Sequence, residues 1–363
     1  MINLTQHEKD VLHGKKGNRE IKFRYDLLDN DGNKKDTLAN VINCSIDYKS
    51  LATINRTARM KIEESDNIDW LNDYVQPFMM VKDGNTWLEW SLGIFMLSSS
   101  KRKEENGEVT REIECYDTMQ ILTDDKVDSR YFISAGSNYI NEIKKILNNM
   151  GLVKINIVNS SKTLTVDREY EIGTSKLSII NSLLAELNYY SLIVDAWGYY
   201  TSSPYVLPSD RAVDYTYMDD ELSIIYNGVE EELDLFNVPN KFIVTASNPE
   251  ELPLTSIYEN DNVNSIVSTA NRGRVITDFR EIDNIADQEA LDSYTRRIAE
   301  DASNVYGYLI LETAIMPHHE FLDCLKVGYT ALTVSDEYIE TNWSMQLKVG
   351  AKMRHTVRKV VSI

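Results

Sequence analysis

Ser175–Tyr205 reads SKLSIINSLLAELNYYSLIVDAWGYYTSSPY. Leu177, Ile180, Leu183, Leu184 and Leu187 recur at the period of a helix with one apolar face, so the spacing predicts a helix that begins at Ser175. From Tyr189 to Asp195 the pattern turns extended. Ala196-Trp197-Gly198 supplies a turn, and Tyr199–Tyr205 returns as a strand that runs into the Pro204…Pro208 segment. Immediately upstream, Ile140, Ile143, Ile146, Leu147 and Met150 mark a second helix, and Gly151 stands where a C-terminal cap is wanted. Val153, Ile155 and Ile157 then make a short strand. Residues 119–205 therefore read as a compact α+β unit.

Both flanks of this unit read as β. Ile21, Phe23, Tyr25 and Leu27 alternate with polar residues before the turn Asn30-Asp31-Gly32, and Ala58, Met60 and Ile62 alternate again. Asp83-Gly84 separates Phe78–Val81 from Trp87–Leu97, and Asn106-Gly107 precedes Val109, Arg111, Ile113 and Cys115 at period two; both are hairpin patterns. Trp70–Tyr74 reads as a short connecting helix. On the other side, Lys241–Thr245, Ile266–Thr269 and Val275–Phe279 are short strand candidates. A helix capped by Asp287 carries Leu291, Tyr294, Ile298 and Ala302 on one face, with Gln288-Glu289 in its first turn. Tyr306–Ile315, Leu325–Val334 and Trp343–Val349 alternate as strands, and the chain closes on Val357, Val360 and Val361. The fold class expected is α+β, mostly β: small barrels or sandwiches around an α+β insert.

The chain has 363 residues, enough for two or three folded units each with its own core. It carries 57 Asp+Glu against 38 Lys+Arg, a formal net charge of −19, which argues against a protein that grips nucleic acid through clustered cations. Twenty-one Tyr and five Trp lean toward β structure. Cys44, Cys115 and Cys324 are scattered, which fits a reducing compartment rather than a disulfide framework. The opening MINLTQHEKDVLHGKKGNRE lacks the apolar core of a signal peptide, and no run reaches the ~18–20 apolar residues of a spanning helix. A protein neither exported by a signal peptide nor embedded in a membrane is expected.

No stretch of the chain carries the residue spacing of a known active site. Gly14-Lys15-Lys16-Gly17 lacks the spacing of a phosphate loop. Ser98-Ser99-Ser100-Lys101 and Ser65-Asp66-Asn67 imitate two penicillin-recognising elements, but in reversed order and without the third. Gly173-Thr174-Ser175 continues into Lys176-Leu177 and forms no nucleophile elbow. Pro317-His318-His319-Glu320, with Asp323 and Cys324 nearby, is the densest group of metal-capable side chains. It lacks HExxH spacing, and neighbouring histidines on a strand point opposite ways, so no metal site is assigned. His7 and His13 fall in what reads as a mobile tail. Glu63-Glu64, Asp124-Asp125, Asp219-Asp220-Glu221 and Glu230-Glu231-Glu232 pair carboxylates as a glycosidase would, yet such runs are usually solvated faces in an acidic chain. Arg272 and Arg274 around Gly273 read as an ordinary strand pair. No catalytic, cofactor-binding or metal-ligating residue is assigned, no cofactor is expected, and the chain is expected not to be an enzyme.

The order of elements is more telling than any motif. Ser175–Tyr205 is followed by Asn240–Ala246, Val263–Asn271, the helical Ile285–Asn304 (IADQEALDSYTRRIAEDASN), an alternating strand, and Pro317…Phe321-Leu322-Asp323-Cys324-Leu325-Lys326-Val327. This series resembles the hub proteins of phage tails and contractile injection systems: the T4-type baseplate hub, late control protein D and the hub half of the type VI spike protein. It looks closest to the prophage members of Gram-positive hosts. Two features depart from the pattern, Leu322 where the family often has Gly, and the His-His-Glu insertion.

The resemblance implies an N-terminal segment (1–18), a first tube-like antiparallel β-barrel (19–118), the peripheral α+β domain (119–205), and a second tube-like barrel (206–363) with a peripheral insert at about 246–305. It implies a homotrimer whose six barrels match a sixfold tail tube or distal tail protein above and a threefold spike or tip below, with the tape-measure protein as a further partner. DNA would pass through the channel without specific binding, and the protein would reside in the virion tail or baseplate after assembly in the bacterial cytoplasm. With a strand-like end at Val360–Ile363, the hydrolase domain that many relatives carry is not expected here. Two other classes remain open on sequence alone: a peptidoglycan hydrolase of the tail tip using paired carboxylates, and a carbohydrate-binding tail protein using its aromatics.

Overall fold

Alternating apolar residues and short polar turns make the first hundred residues fold as consecutive antiparallel strands. The computed structural model describes residues 2, 4–15, 19–64, 67–220, 224–233, 236–247, 253–304 and 307–360. Helix α1 (Gln6–Leu12) precedes β1 (Ile21–Leu28), β2 (Lys34–Thr37), β3 (Val41–Lys49), β4 (Arg56–Glu63), β5 (Tyr74–Asp83), β6 (Thr86–Ser91), β7 (Phe95–Glu105) and β8 (Glu108–Asp117). Asn106 and Gly107 both take positive φ, 54° and 85°, the conformation in which a two-residue turn matches strand twist, and β7 pairs β8 across them. Residues 70–73 form turns, not a helix, and Tyr74 already belongs to β5. Residues 6–12 are no mobile tail: a capping box at Thr5 and Glu8 starts α1, and Val11 and Leu12 are buried in the sheet core.

The middle of the chain runs α2 (Met119–Asp124), β9 (Tyr131–Ile133), α3 (Tyr139–Asn149), β10 (Ile155–Ile157), β11 (Arg168–Tyr170), α4 (Lys176–Glu186), β12 (Ile193–Val194) and β13 (Tyr200–Ser202). Asn138 and Ser175 cap α3 and α4, each accepting a backbone N–H three residues on. The remainder runs β14 (Tyr215–Met218), β15 (Glu230–Leu233), β16 (Lys241–Ala246), β17 (Leu254–Glu259), α5 (Thr269–Arg272), β18 (Thr277–Ile282), α6 (Gln288–Asn304), β19 (Gly307–Ala314), β20 (Cys324–Tyr329), β21 (Val334–Gln346) and β22 (Lys352–Lys359). Asp287 accepts the Ala290 N–H at 2.8 Å and caps α6 as its sequence predicts. Residues 266–269 are not a strand: Ser268 caps α5, its hydroxyl accepting from Asn271.

Among the described residues, strands from both ends of the chain share one 14-stranded sheet. Its main path is β15-β19-β22-β21-β3-β4-β8-β7-β5-β1-β2. Two hydrophobic clusters result. The first lies under this sheet and includes Leu27, Ile46, Met79, Phe95, Leu311, Trp343 and Val357. The second joins α2, α3 and α4 to α6 and to Phe242, Val244 and Ala246 on the inner face of β16. The fold is therefore mostly β, with large antiparallel sheets and helices packed beside them.

Candidate functional site

One long strand joins the two ends of the chain, and the densest buried polar cluster sits where it changes partner. Residues 334–339 of β21 pair with β20, whereas 342–346 pair with β3, and β22 pairs along the other edge from Tyr338 to Met345, across the switch. Against β22, Glu340 opposes Val357 and Asn342 opposes Thr356, so Thr341 is an extra residue in a β-bulge. The bulge switches the parity of the buried side chains, from Val334, Tyr338 and Glu340 before it to Trp343 and Met345 after it. Backbone groups at the switch are satisfied from outside the ladder: Glu340 N–H donates to Asp323 O at 2.8 Å, and Ser50 N–H donates to Thr341 O at 2.8 Å.

Glu340 is fully buried and is held by two histidines. Its Oε2 lies 2.6 Å from His319 Nδ1 and its Oε1 2.5 Å from His355 Nδ1. The far nitrogens also have partners: His319 Nε2 meets the Tyr217 hydroxyl at 2.6 Å, and His355 Nε2 meets Thr313 Oγ1 at 2.8 Å. Burial alone would raise the Glu340 carboxyl, but the two imidazoles outweigh it and hold the group at about 2. His319 is raised because Glu340 overcomes the cost of burial, whereas burial wins at His355 and lowers it. Burial pushes Asp323, 3.8 Å from His319 Nδ1, up to about 6. His318 is lowered far below the usual imidazole range by burial, with the His319 charge adding to it; its ring packs 4.6 Å from Tyr215.

Beside this cluster a buried ion pair ties three parts of the chain together. Arg56 on β4 donates to Glu320 Oε2 at 3.1 Å, and the Ala196 N–H donates to Glu320 Oε1 at 3.2 Å. The Ala196 carbonyl in turn accepts from Ser91 Oγ at 2.5 Å. The turn at 196–198 thus docks the helical unit onto the sheet. The Arg56 guanidinium lies over Tyr48 at 5.1 Å, and Tyr48 stacks on Trp343 at 5.2 Å across the β3–β21 pair. Gly93 faces the Arg56 side chain with φ of 129°, and a Cβ there would come within 2.5 Å of Arg56 Cδ. Leu322 takes φ of 49°, the left-handed conformation for which glycine is usual, so the backbone of this turn keeps its shape without one.

The other sequence candidates are dispersed. Glu64 is clamped by Arg102 at 2.6 Å and Arg111 at 2.7 Å, and Asp125 pairs with Lys176 at 2.6 Å. Asp124 accepts from Gln120, and Asp219 accepts from Thr330 N–H at 2.7 Å. Glu230, Glu231 and Glu232 line exposed β15. Arg272 and Arg274 donate to the carbonyls of Val238 and Phe236. His7 bonds Asp83 at 2.6 Å, and His13 meets the Tyr215 hydroxyl. Ser98 and Lys101 lie along β7, while Ser65, Asp66, Lys16, Gly17, Glu221, Tyr306 and Val361 fall outside the described residues. Glu63 ends β4 on the surface.

Sequence reading singled out His318, His319, Glu320, Asp323 and Cys324, and the structure puts the first four at the junction. It missed Glu340 and His355, which converge on His319 only through strand register. Cys324 starts β20 and is buried without a disulfide. His319, Glu340 and His355 are the group among the described residues whose donor atoms could hold a metal ion, all lying within 4.8 Å of one another. The triad is closed to solvent. A cleft of about 280 Å³ next to it is lined by Tyr190, Tyr205, Arg211, Arg297, Phe321 and Arg358, among others. No helix among the described residues is long and apolar enough to cross a membrane.

No protein-family model and no curated protein matches the sequence. Solved structures do match the fold. A tail protein from Neisseria meningitidis MC58 superposes with a TM-score of 0.65 at 10% identity, covering 93% of this chain and 96% of that one. The 43 kDa tail protein of prophage MuSo2 from Shewanella oneidensis gives a TM-score of 0.62 at 10% identity, over 93% and 98%. Prophage tail protein gp18 from Listeria monocytogenes EGD-e gives 0.56 at 10% identity, over 92% and 94%. The chain has the fold of phage tail proteins.

Proposed function

We propose that the protein is a structural component of a phage tail or baseplate, and within it the hub: a homotrimer that adapts a sixfold tube to a threefold tip. The observation that carries this reading is end-to-end coverage. The fold accounts for nearly all of this chain and nearly all of two tail proteins, so the likeness is not one borrowed module. On this reading residues 19–118 and 206–363 supply two tube-like barrels, and 119–205 with the insert near 246–305 forms the periphery.

The single sheet through β3 and β21 supports a rigid pair of barrels, because main-chain hydrogen bonds run continuously between them. The dispersal of the paired carboxylates among the described residues, with Glu64, Asp124, Asp125 and Asp219 each engaged by a cation or an amide, favours a scaffold over a hydrolase. Partners on this reading are the tail tube or distal tail protein, the spike or tip, and the tape-measure protein. DNA passes without specific contact, and the protein resides in the virion. Light scattering or native mass spectrometry of the purified chain, and of the hub extracted from particles, tests the assembly. Three copies per ring are expected; a monomer within particles or a ring of another order would contradict it.

A further inference from the structure

We propose that His319, His355 and Glu340 form a buried structural site for a divalent transition-metal ion of the zinc class, placed at the bulge where β21 changes partner.

The donor set suits such an ion: two imidazole nitrogens and one carboxylate oxygen, from the loop after β19, from β22 and from β21. Both histidines turn Nδ1 inward and leave Nε2 to an oxygen partner, Tyr217 OH on one side and Thr313 Oγ1 on the other. That outer hydrogen bond orients metal-ligating histidines in general, since it fixes the ring and the tautomer. Asp323 adds a second buried carboxylate, 3.8 Å from His319 Nδ1, as a candidate for the fourth position.

Charge argues the same way. The carboxylates of Glu340 and Asp323 and the imidazoles of His318, His319 and His355 are closed away from water within one cluster, and a dication held by Glu340, His319 and His355 offsets much of the carboxylates' desolvation cost. The nitrogen–oxygen separations of 2.5–2.6 Å are those of hydrogen bonds. Zinc with ligands at ~2.0–2.1 Å in a tetrahedron would open them to roughly 3.3 Å, a shift of under ~1 Å for each side chain. His318, whose two ring nitrogens have no hydrogen-bond partner among the described residues, lies 4.8 Å ring to ring from His319. The site would pin the bulge, and through it the junction of the two sheet halves. This holds whether or not the protein is a tail hub.

The test uses the full chain, purified without a polyhistidine tag and without chelators, then equilibrated with zinc and desalted. Elemental analysis should find about one zinc per chain, and stripping with dipicolinate should lower Tm reversibly. Chain reconstituted with Co2+ should show the visible ligand-field bands of a tetrahedral nitrogen–oxygen site. Glu340→Gln and His355→Gln should each weaken zinc binding at least ~10-fold, while His7→Ala leaves it unchanged. Less than ~0.1 zinc per chain in the wild type, with Tm indifferent to zinc and to the chelator, would overturn the proposal and leave a proton-bridged network. So would bound zinc that both variants retain in full, which would place the ion elsewhere. If neither variant folds, the wild-type stoichiometry and Tm shift decide the question alone.

Discussion

At the residue scale the junction depends on buried charges held by close polar partners. Arg56 and Glu320 are 2% and 12% exposed, so removing one partner strands the other in a low-dielectric interior. Glu320→Ala should cost about 3–5 kcal/mol, read from the urea midpoint at constant m. A loss below ~1 kcal/mol would show that water reaches Arg56. Glu300 on α6 gives a pH signature of opposite sign to that of Glu340. It is buried with one hydrogen bond, from Ser209, and burial raises its carboxyl to about 7. Its folded-state pKa exceeds the unfolded value, so the folded protein binds the extra proton and this group lowers stability as pH rises through that window. Glu300→Gln should therefore stabilise the protein at pH 8 by about 2–3 kcal/mol relative to wild type and have little effect at pH 4. Glu340, held at about 2, contributes stability that is present above the ordinary carboxylate range and lost as pH falls toward 2. Equal effects of Glu300→Gln at both pH values would contradict this assignment of the buried proton.

At the scale of elements, β21 is the member on which both ends of the chain depend. Tyr48 and Trp343 face each other across the β3–β21 pair and stack, so their contact measures that pairing directly. A double-mutant cycle with Tyr48→Leu and Trp343→Leu should return a coupling of about 0.5–1.5 kcal/mol in unfolding free energy; additivity within ~0.3 kcal/mol would show that the ring contact adds nothing beyond area. The helices were legible in the sequence because local signals and periodicity agree there: Ser175 and Asp287 each start a helix whose apolar face points into the core, and the spacing from Ile140 to Met150 with Gly151 behind it marks the third. So were the hairpins at Asp83-Gly84 and Asn106-Gly107, whose turn chemistry is local. The β21 bulge was not. Val334, Tyr338, Trp343 and Met345 change parity without any Gly or Pro to mark the place, and only pairing with β22 exposes the extra residue. The cluster at Glu340 was illegible for the same reason, since 319, 340 and 355 meet by register. Residues 266–269 misled because apolar Ile266 and Val267 precede a serine that caps a short helix instead of continuing a strand.

At the scale of the whole molecule, the formal charge of −19 takes on a role in the proposed assembly. A channel that DNA traverses must not bind phosphate, and carboxylates lining it would repel the backbone. A structure of the assembled ring should therefore show net negative charge on the inner wall, and a basic or neutral lumen would contradict that. The central claim is that the sheet-linked halves of this chain act as two of six equivalent tube positions, which requires three chains per ring. Native mass spectrometry of the hub released from intact particles tests it most directly. A species of three times the mass of the chain is the predicted result, and a monomer or a sixfold ring would contradict the account.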